Sequence, residues 1–244
     1  VWPPYDRYAS IAQLIRDART YAKDDKSIIL AAYLKPFREG KREKALPAAK
    51  LLMGSIVSNG ATHLLTGENQ TALTQGYYSD YTKFSDSEAE AIRRYYDYMI
   101  RYENLFFDPE LQDVTMTHTG WDNYEYQCTS HKVSSYGEAG KIWMILREKD
   151  YRKCIYLLNL CGQSEDYWNE GKEEPNIQKD IKFTVQVDTP VEKICFSTPD
   201  GENMDAIELS FTERATKTGK FIDFTVPSLN YWTTIWIDTR KETI

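Results

Sequence analysis

The stretch Ile28–Gln70, IILAAYLKPFREGKREKALPAAKLLMGSIVSNGATHLLTGENQ, decides the fold class. It opens on an unbroken apolar run, Ile28–Leu34, whose lack of alternation predicts a strand covered on both faces. Pro36 ends that run. Leu46, Ala49, Leu52, Met53 and Ile56 then recur at helical spacing, and Ser58-Asn59-Gly60 closes the helix in a C-cap pattern. Thr62–Thr66 reads as a second strand running into Gly67-Glu68-Asn69-Gln70. Strand, helix and strand with short links predict a parallel pair joined by a right-handed crossover. The C-terminal ends of such strands, here carrying polar and aromatic groups, are where an α/β barrel builds its site.

Upstream, apolar residues at Tyr8, Ile11, Leu14, Ile15, Ala18 and Ala22 predict a helix, with Asp6 placed to cap its first turn. Downstream, Gly67–Phe84 reads as a long loop, and loops of that length are usually functional. Ser85-Asp86-Ser87-Glu88 reads as a capping box opening a helix that runs through Phe106 to a stop at Asp108-Pro109. About two and a half β/α units are present where a closed barrel needs eight. Residues 1–112 are therefore expected to be the C-terminal portion of a (β/α)8 TIM barrel, the last part of an enzyme whose remainder lies upstream.

From Asp113 the texture changes to short runs of β-forming residues. These are Val114–Thr119, Tyr124–Thr129, Lys141–Leu146, Lys153–Leu160, Ile181–Val187, Lys193–Ser197, Ala206–Thr212, Lys220–Thr225 and Tyr231–Asp238. Gly137, Gly140, Pro190, Pro199-Asp200-Gly201, Gly219 and Pro227 punctuate them. Such spacing predicts an antiparallel β-sandwich over 113–244. The fold class is thus α/β followed by all-β.

The net charge of −7, without a clustered basic stripe, argues against nucleic acid. No apolar run approaches the roughly 20 residues that span a bilayer. Val1-Trp2-Pro3-Pro4 does not read as a signal peptide. The four cysteines, Cys128, Cys154, Cys161 and Cys195, include no CxxC pair, and His118 and His131 have no paired spacing, so no metal or cofactor is expected. Cys154 and Cys161, an odd number apart, point to opposite faces and read as free thiols. His63 reads as a buried, hydrogen-bonded histidine. The 18 tyrosines and 6 tryptophans fit either sugar-stacking surfaces or ordinary sandwich strands.

Three ordered segments carry a resemblance. They are Ala31-Ala32-Tyr33, then Asn59 through Asn69, then Tyr95-Tyr96-Asp97-Tyr98 on to Arg101-Tyr102-Glu103-Asn104-Leu105, with Val1-Trp2-Pro3-Pro4-Tyr5-Asp6 from the same region. Together they resemble glycoside hydrolase family 66, which contains dextranases and cycloisomaltooligosaccharide glucanotransferases. The resemblance covers residues 1–112 and extends loosely across the sandwich. It implies retaining cleavage of α-1,6-linked glucan by two carboxyl groups about 5–5.5 Å apart. It also implies that the nucleophilic Asp and the acid/base Glu lie on earlier strands, the Glu at or shortly before Val1, so that no catalytic carboxylate falls in this chain. The expected partners are an α-glucan and the upstream part of the same polypeptide. A bulky glucan implies a secreted, cell-surface or periplasmic setting.

The residues expected to line the substrate cleft are Glu68, Asn69, Asp6, Trp2, Tyr33, Lys35, Tyr77 and Tyr78. Glu68 and Asn69, past a strand's C-terminal end, would hydrogen-bond glucose hydroxyls; alternatively Asn69 shapes the turn and Glu68 pairs with a basic neighbour. Glu68 could serve as an acid only with Asp6 as its partner carboxylate. Trp2 would stack on a sugar or sit in the core. Tyr33 and Lys35 end the first strand, and Tyr77, Tyr78 and Tyr81 would form a platform or pack onto the barrel top. Two further readings differ in class. One is a non-catalytic carbohydrate-binding protein using Trp143, Trp168, Trp232 and Trp236. The other is a scaffold pairing through open sheet edges.

Overall fold

A computed structural model describes residues 4–23, 26–40, 42–76, 82–120 and 122–240. The chain forms two compact units. The first comprises Val1–Pro109 together with Gly162–Pro175, and the second Glu110–Cys161 with Asn176–Ile244. The excursion 162–175 therefore leaves the second unit and belongs to the first.

In the first unit α1 (Tyr8–Ala22) buries Tyr8, Ile11 and Ile15. It is not capped by Asp6: Arg7 holds the N-cap position without a side-chain bond, and Asp6 is exposed. The parallel pair is present but short. Strand β1 (Ile29–Leu30) pairs with β2 (Thr62–His63), Ile29 opposite Thr62 and Leu30 opposite His63. Between them α2 (Arg42–Ser58) is buried along most of its length. Gly60, at φ +90°, ends it with bonds from Gly60 N–H to the Val57 carbonyl and from Ala61 N–H to the Ile56 carbonyl. That is the Schellman arrangement.

The expected run of strand to Leu34 is cut short for a visible reason. The Ala32 carbonyl bonds the His63 ring at 2.8 Å, and the Leu34 N–H bonds the Leu73 carbonyl at 3.2 Å, so neither is left for a ladder. Nor is β1 covered on both faces, because Ile29 is 64% exposed. The long loop is partly folded: β3 (Thr66–Gly67), β4 (Thr71–Ala72) and β5 (Thr82–Lys83) form a small antiparallel sheet. The capping box forms as the sequence predicts, Ser85 accepting from Glu88 N–H and Glu88 accepting from Ser85 N–H. It opens α3 (Asp86–Arg101), which Tyr102 separates from the single turn α4 (Glu103–Phe106).

The second unit is a β-sandwich. Its strands are β6 (Gln112–Asp113), β7 (Tyr126–Cys128), β8 (Val133–Ser134), β9 (Ile142–Lys149), β10 (Arg152–Asn159), β11 (Gln178–Val187), β12 (Val191–Ser197), β13 (Ile207–Leu209), β14 (Phe211–Thr216), β15 (Gly219–Leu229) and β16 (Trp232–Thr239). A seven-stranded sheet runs β13-β12-β16-β10-β9-β6, with β8 parallel to β9 off that path. A four-stranded antiparallel sheet runs β14-β15-β11-β7. Leu146, Ile155 and Ile235 from the first sheet pack with Phe183, Ile222 and Phe224 from the second in one core.

Three strand expectations change. Val114–Thr119 is a turn, because the Asp113 carboxylate takes the Thr115 N–H and the Thr117 and Thr119 hydroxyls bond nearby carbonyls. Ala206–Thr212 is two strands, broken at Ser210 where the chain crosses from one sheet to the other. Pro227 lies inside β15 rather than ending it. The register skips Asp180, at φ +53°, between the pairs Lys179–Ser228 and Ile181–Val226, where a proline has no N–H to give. No helix among the described residues is long and apolar enough to cross a membrane.

Candidate functional site

The ends of β1 and β2 are fastened by a short chain of bonds. His63 Nε2 donates to the Ala32 carbonyl, since a carbonyl only accepts. Its Nδ1 is buried with no partner among the described residues. Burial lowers the His63 pKa to about 4, the Ala32 bond opposing it, so the ring is neutral at physiological pH. On α3 the Tyr96 hydroxyl donates to the His63 carbonyl at 2.8 Å and accepts from Leu65 N–H at 3.3 Å. The Leu73 backbone joins the two ends, its carbonyl accepting from Leu34 and its N–H donating to Leu65.

Past this clamp the β3–β4 hairpin projects Glu68 and Asn69, both exposed. Asn69 and Gln70 sit at φ +55° and +56°, and the Thr71 hydroxyl donates to the Glu68 carbonyl at 2.6 Å. Asn is one of the few residues that adopts this conformation readily, so Asn69 does shape the turn. Its amide and the Glu68 carboxylate are left facing solvent on a fixed backbone, a disposition suited to hydroxyl ligands. A Cβ at Gly67 would come within 2.9 Å of Thr71 Oγ1 and 3.2 Å of Leu73 Cδ2, so a larger residue there would have to displace those side chains.

Tyr33 is half-buried and lies against Gly76, where a Cβ would be 3.3 Å from its ring. Lys35 opens a 3-10 turn, Lys35–Phe37. Its N–H donates to the Asn169 side chain at 2.9 Å and its ammonium pairs with Glu170. Lys35 is thus held by protein groups as well as bordering solvent. Trp2, Tyr77, Tyr78 and Tyr81 lie outside the described residues.

Asn169 and Glu170 belong to the excursion 162–175, which sequence reading missed. It behaves as a strap across the first unit. Tyr8 N–H bonds the Asp166 carbonyl at 3.1 Å, Trp168 N–H bonds the Asp6 carbonyl at 3.0 Å, and Lys172 N–H bonds the Lys44 carbonyl at 3.0 Å. Arg7 pairs with Asp166 and stacks over Tyr167, 4.5 Å from the ring centroid. Lys172 is the pin: its buried ammonium reaches the Glu165 carboxylate at 2.8 Å and the Tyr167 and Glu170 carbonyls. Burial pulls Lys172 below the ordinary lysine range, with Glu165 opposing. The run SEDYWNEGK between two strong strands was the available signal, being far longer than a hairpin needs.

The strap also relocates one aromatic. Trp168 is buried in the first unit, its indole N–H on the Tyr5 carbonyl. Trp143, Trp232 and Trp236 are also buried, at 1%, 0% and 6% exposure. These four tryptophans therefore offer no stacking surface, and the carbohydrate-binding reading built on them loses its motive. Among the described residues no group of three or more His, Cys, Asp or Glu is placed to hold a metal, and the cysteines are free thiols.

Comparison with known proteins adds to this geometry. The description Glycosyl hydrolase family 66 matches residues 1–236. Two cycloisomaltooligosaccharide glucanotransferases of Niallia circulans are 28% and 26% identical to the chain over 193 and 191 residues, 78% and 77% of it. The chain spans only 19% of the length of each of these relatives. A solved cycloisomaltooligosaccharide glucanotransferase of Paenibacillus sp., complexed with cycloisomaltoheptaose, matches with a TM-score of 0.69 at 23% identity. That match covers 78% of this chain and 27% of that one, and it bears on fold alone. With nearly its whole length matched by the family description, the chain belongs to glycosyl hydrolase family 66.

Proposed function

We propose that this chain is the C-terminal portion of a retaining, dextranase-like glycoside hydrolase acting on α-1,6-linked glucan. In this reading β1 and β2 are neighbouring strands of a (β/α)8 barrel, and residues 113–244 are the sandwich that follows it. The chain supplies part of the cleft rim, and the catalytic carboxylate pair lies on the upstream part of the polypeptide. The observation that carries the reading is the family match over residues 1–236 in a chain spanning a fifth of its glucanotransferase relatives.

Two features support it. The β1–β2 sheet has two strands only, each with an unpaired edge among the described residues. Its C-terminal ends are held rigid while Glu68 and Asn69 stay exposed, which suits hydrogen bonding to glucose hydroxyls. Asp6, Tyr33 and Lys35, with Trp2, Tyr77 and Tyr78, complete the proposed rim. Hydrolysis and transfer to a sugar hydroxyl are both compatible with it. Because a bulky glucan is met outside the cytoplasm, the reading places the parent in a secreted, cell-surface or periplasmic setting.

The test is to join the chain to the upstream half of a family 66 enzyme and follow dextran cleavage, with proton NMR of the first product's anomeric configuration. The reading expects no cleavage by the chain alone, cleavage with retained configuration by the joined protein, and a rise in KM for Glu68→Ala and Asn69→Ala. Cleavage by the chain alone, or an inverted product, overturns it.

A further inference from the structure

The peptide planes of β2 decide which backbone groups face β1 and which face the other edge. Thr62 N–H donates to the Ile28 carbonyl at 2.8 Å and Leu64 N–H to the Leu30 carbonyl at 3.0 Å, so Thr62 and Leu64 bond toward β1. A trans peptide points its carbonyl away from its own N–H. The His63 carbonyl, opposed to Leu64 N–H, therefore points to the other edge, and alternation turns Leu65 N–H the same way. In a parallel ladder, a carbonyl and the N–H two residues on are bridged by one residue of the next strand. Here one side-chain oxygen bridges them: the Tyr96 hydroxyl donates to the His63 carbonyl at 2.8 Å and accepts from Leu65 N–H at 3.3 Å.

Tyr96 can do this because its own place is fixed. It sits on α3, whose Ile92, Tyr95, Tyr98 and Met99 are buried and whose first turn carries the Ser85–Glu88 box. Burial raises the Tyr96 pKa, with bonds from Leu65 and Thr66 opposing, so the hydroxyl keeps its proton and stays both donor and acceptor. Beyond this bridge the chain belongs to the hairpin. The Leu65 carbonyl accepts from Leu73 N–H at 2.8 Å, and the pairs Thr66–Ala72 and Gly67–Thr71 follow. Leu65, 0% exposed, is thus held at its N–H by α3 and at its carbonyl by the returning strand. Glu68 and Asn69 come directly after the pair Gly67–Thr71.

We infer that Tyr96 is a positioning residue for the proposed rim: its hydroxyl takes the place of a neighbouring strand at His63 and Leu65, ends the ladder on that edge of β2, and fixes the course of the hairpin that presents Glu68 and Asn69. It acts through the backbone of β2 and not through contact with sugar. The inference rests on the reading of Glu68 and Asn69 as sugar-binding groups, and it adds to that reading the helix side chain that sets them.

The test uses the chain joined to the upstream half of a family 66 enzyme, with dextran as substrate. Tyr96→Phe removes the hydroxyl and keeps the ring, and a cooperative urea transition verifies that the variant folds. It is expected to raise KM about fivefold, the weight of one neutral hydrogen bond, with kcat unchanged. Ser85→Ala, which weakens the same helix, should leave KM as it is. In a double-mutant cycle the Tyr96→Phe effect should vanish once Glu68 and Asn69 are both alanine. Amide exchange gives a second readout without substrate: Leu65 and Leu73 should exchange about fivefold faster in Tyr96→Phe, while Ile155 and Ile235 stay unchanged. The inference alone is overturned by an unchanged KM in Tyr96→Phe where Glu68→Ala and Asn69→Ala raise it, by an equal rise in Ser85→Ala, by an additive cycle, or by unchanged exchange at Leu65. If the joined protein leaves dextran intact, or Glu68→Ala and Asn69→Ala leave KM unchanged, the rim reading fails and the inference falls with it.

Discussion

The two units bury apolar groups in different ways. The sandwich closes on itself, with facing sheets of long strands sharing a core whose Ile155, Ile181, Ile222 and Ile235 are 0% exposed. The first unit has a well-filled helix, α2, but its parallel sheet is two residues long on each strand. Ile29 and Leu64, beside that sheet, are 64% and 41% exposed. What fastens this unit is a set of polar clips: His63 on Ala32, Tyr96 on β2, Ser85 with Glu88, and the strap pinned by Lys172. One unit therefore rests on area removed from water, and the other leans on directional bonds.

The sharpest way to break this contrast is through the sandwich core. Phe183→Ala should destabilise the second unit by about 3–5 kcal/mol, read as a lower midpoint in urea monitored by a probe in that unit. A change in the first unit's transition instead would undo the division. Next in size is the pH dependence of His63. Its unfolded pKa is near 6.5 and its folded pKa about 4. Stability contributed by the neutral ring is therefore full above pH 6.5 and lost as pH falls from 6.5 to 4, on the order of 3 kcal/mol in all. His63→Gln should remove that slope from the first unit's unfolding and leave the second unit's unchanged.

Smaller still, Lys172→Met leaves Glu165 and two carbonyls without their cation. A cost of about 2 kcal/mol is expected, with faster proteolysis confined to 162–175. The mildest change is Ser85→Ala, which should cost about 1 kcal/mol through the lost cap of α3. It should do so in the first unit's transition only.

Much of this contrast was legible in the sequence, and what was not has a physical cause. The helices α1, α2 and α3 could be read because stripes, Gly60 and the Ser85–Glu88 box are local signals. The sandwich strands could be read because alternation and turn residues repeat. The length of β1 could not be read. It is set by bonds from His63 and Leu73, distant in sequence, that take up the Ala32 carbonyl and the Leu34 N–H. The strap was hidden for the same reason: Asp166, Asn169, Glu170 and Lys172 acquire meaning only beside Arg7, Lys35 and Lys44. The tryptophans misled in the opposite direction, since composition reports how many there are and not which way they face. Of the proposed rim, Glu68 and Asn69 were placed by strand order alone, while the setting of Lys35 required the strap.

Hydrogen–deuterium exchange tests the central claim most directly, comparing the chain alone with the same chain joined to the upstream half of a family 66 enzyme. The account predicts that Ile29–Leu30 and Thr62–His63 exchange quickly in the chain alone and become strongly protected on joining, while β10 and β16 are protected in both. Full protection of β1 and β2 in the chain alone, or no gain on joining, would contradict it.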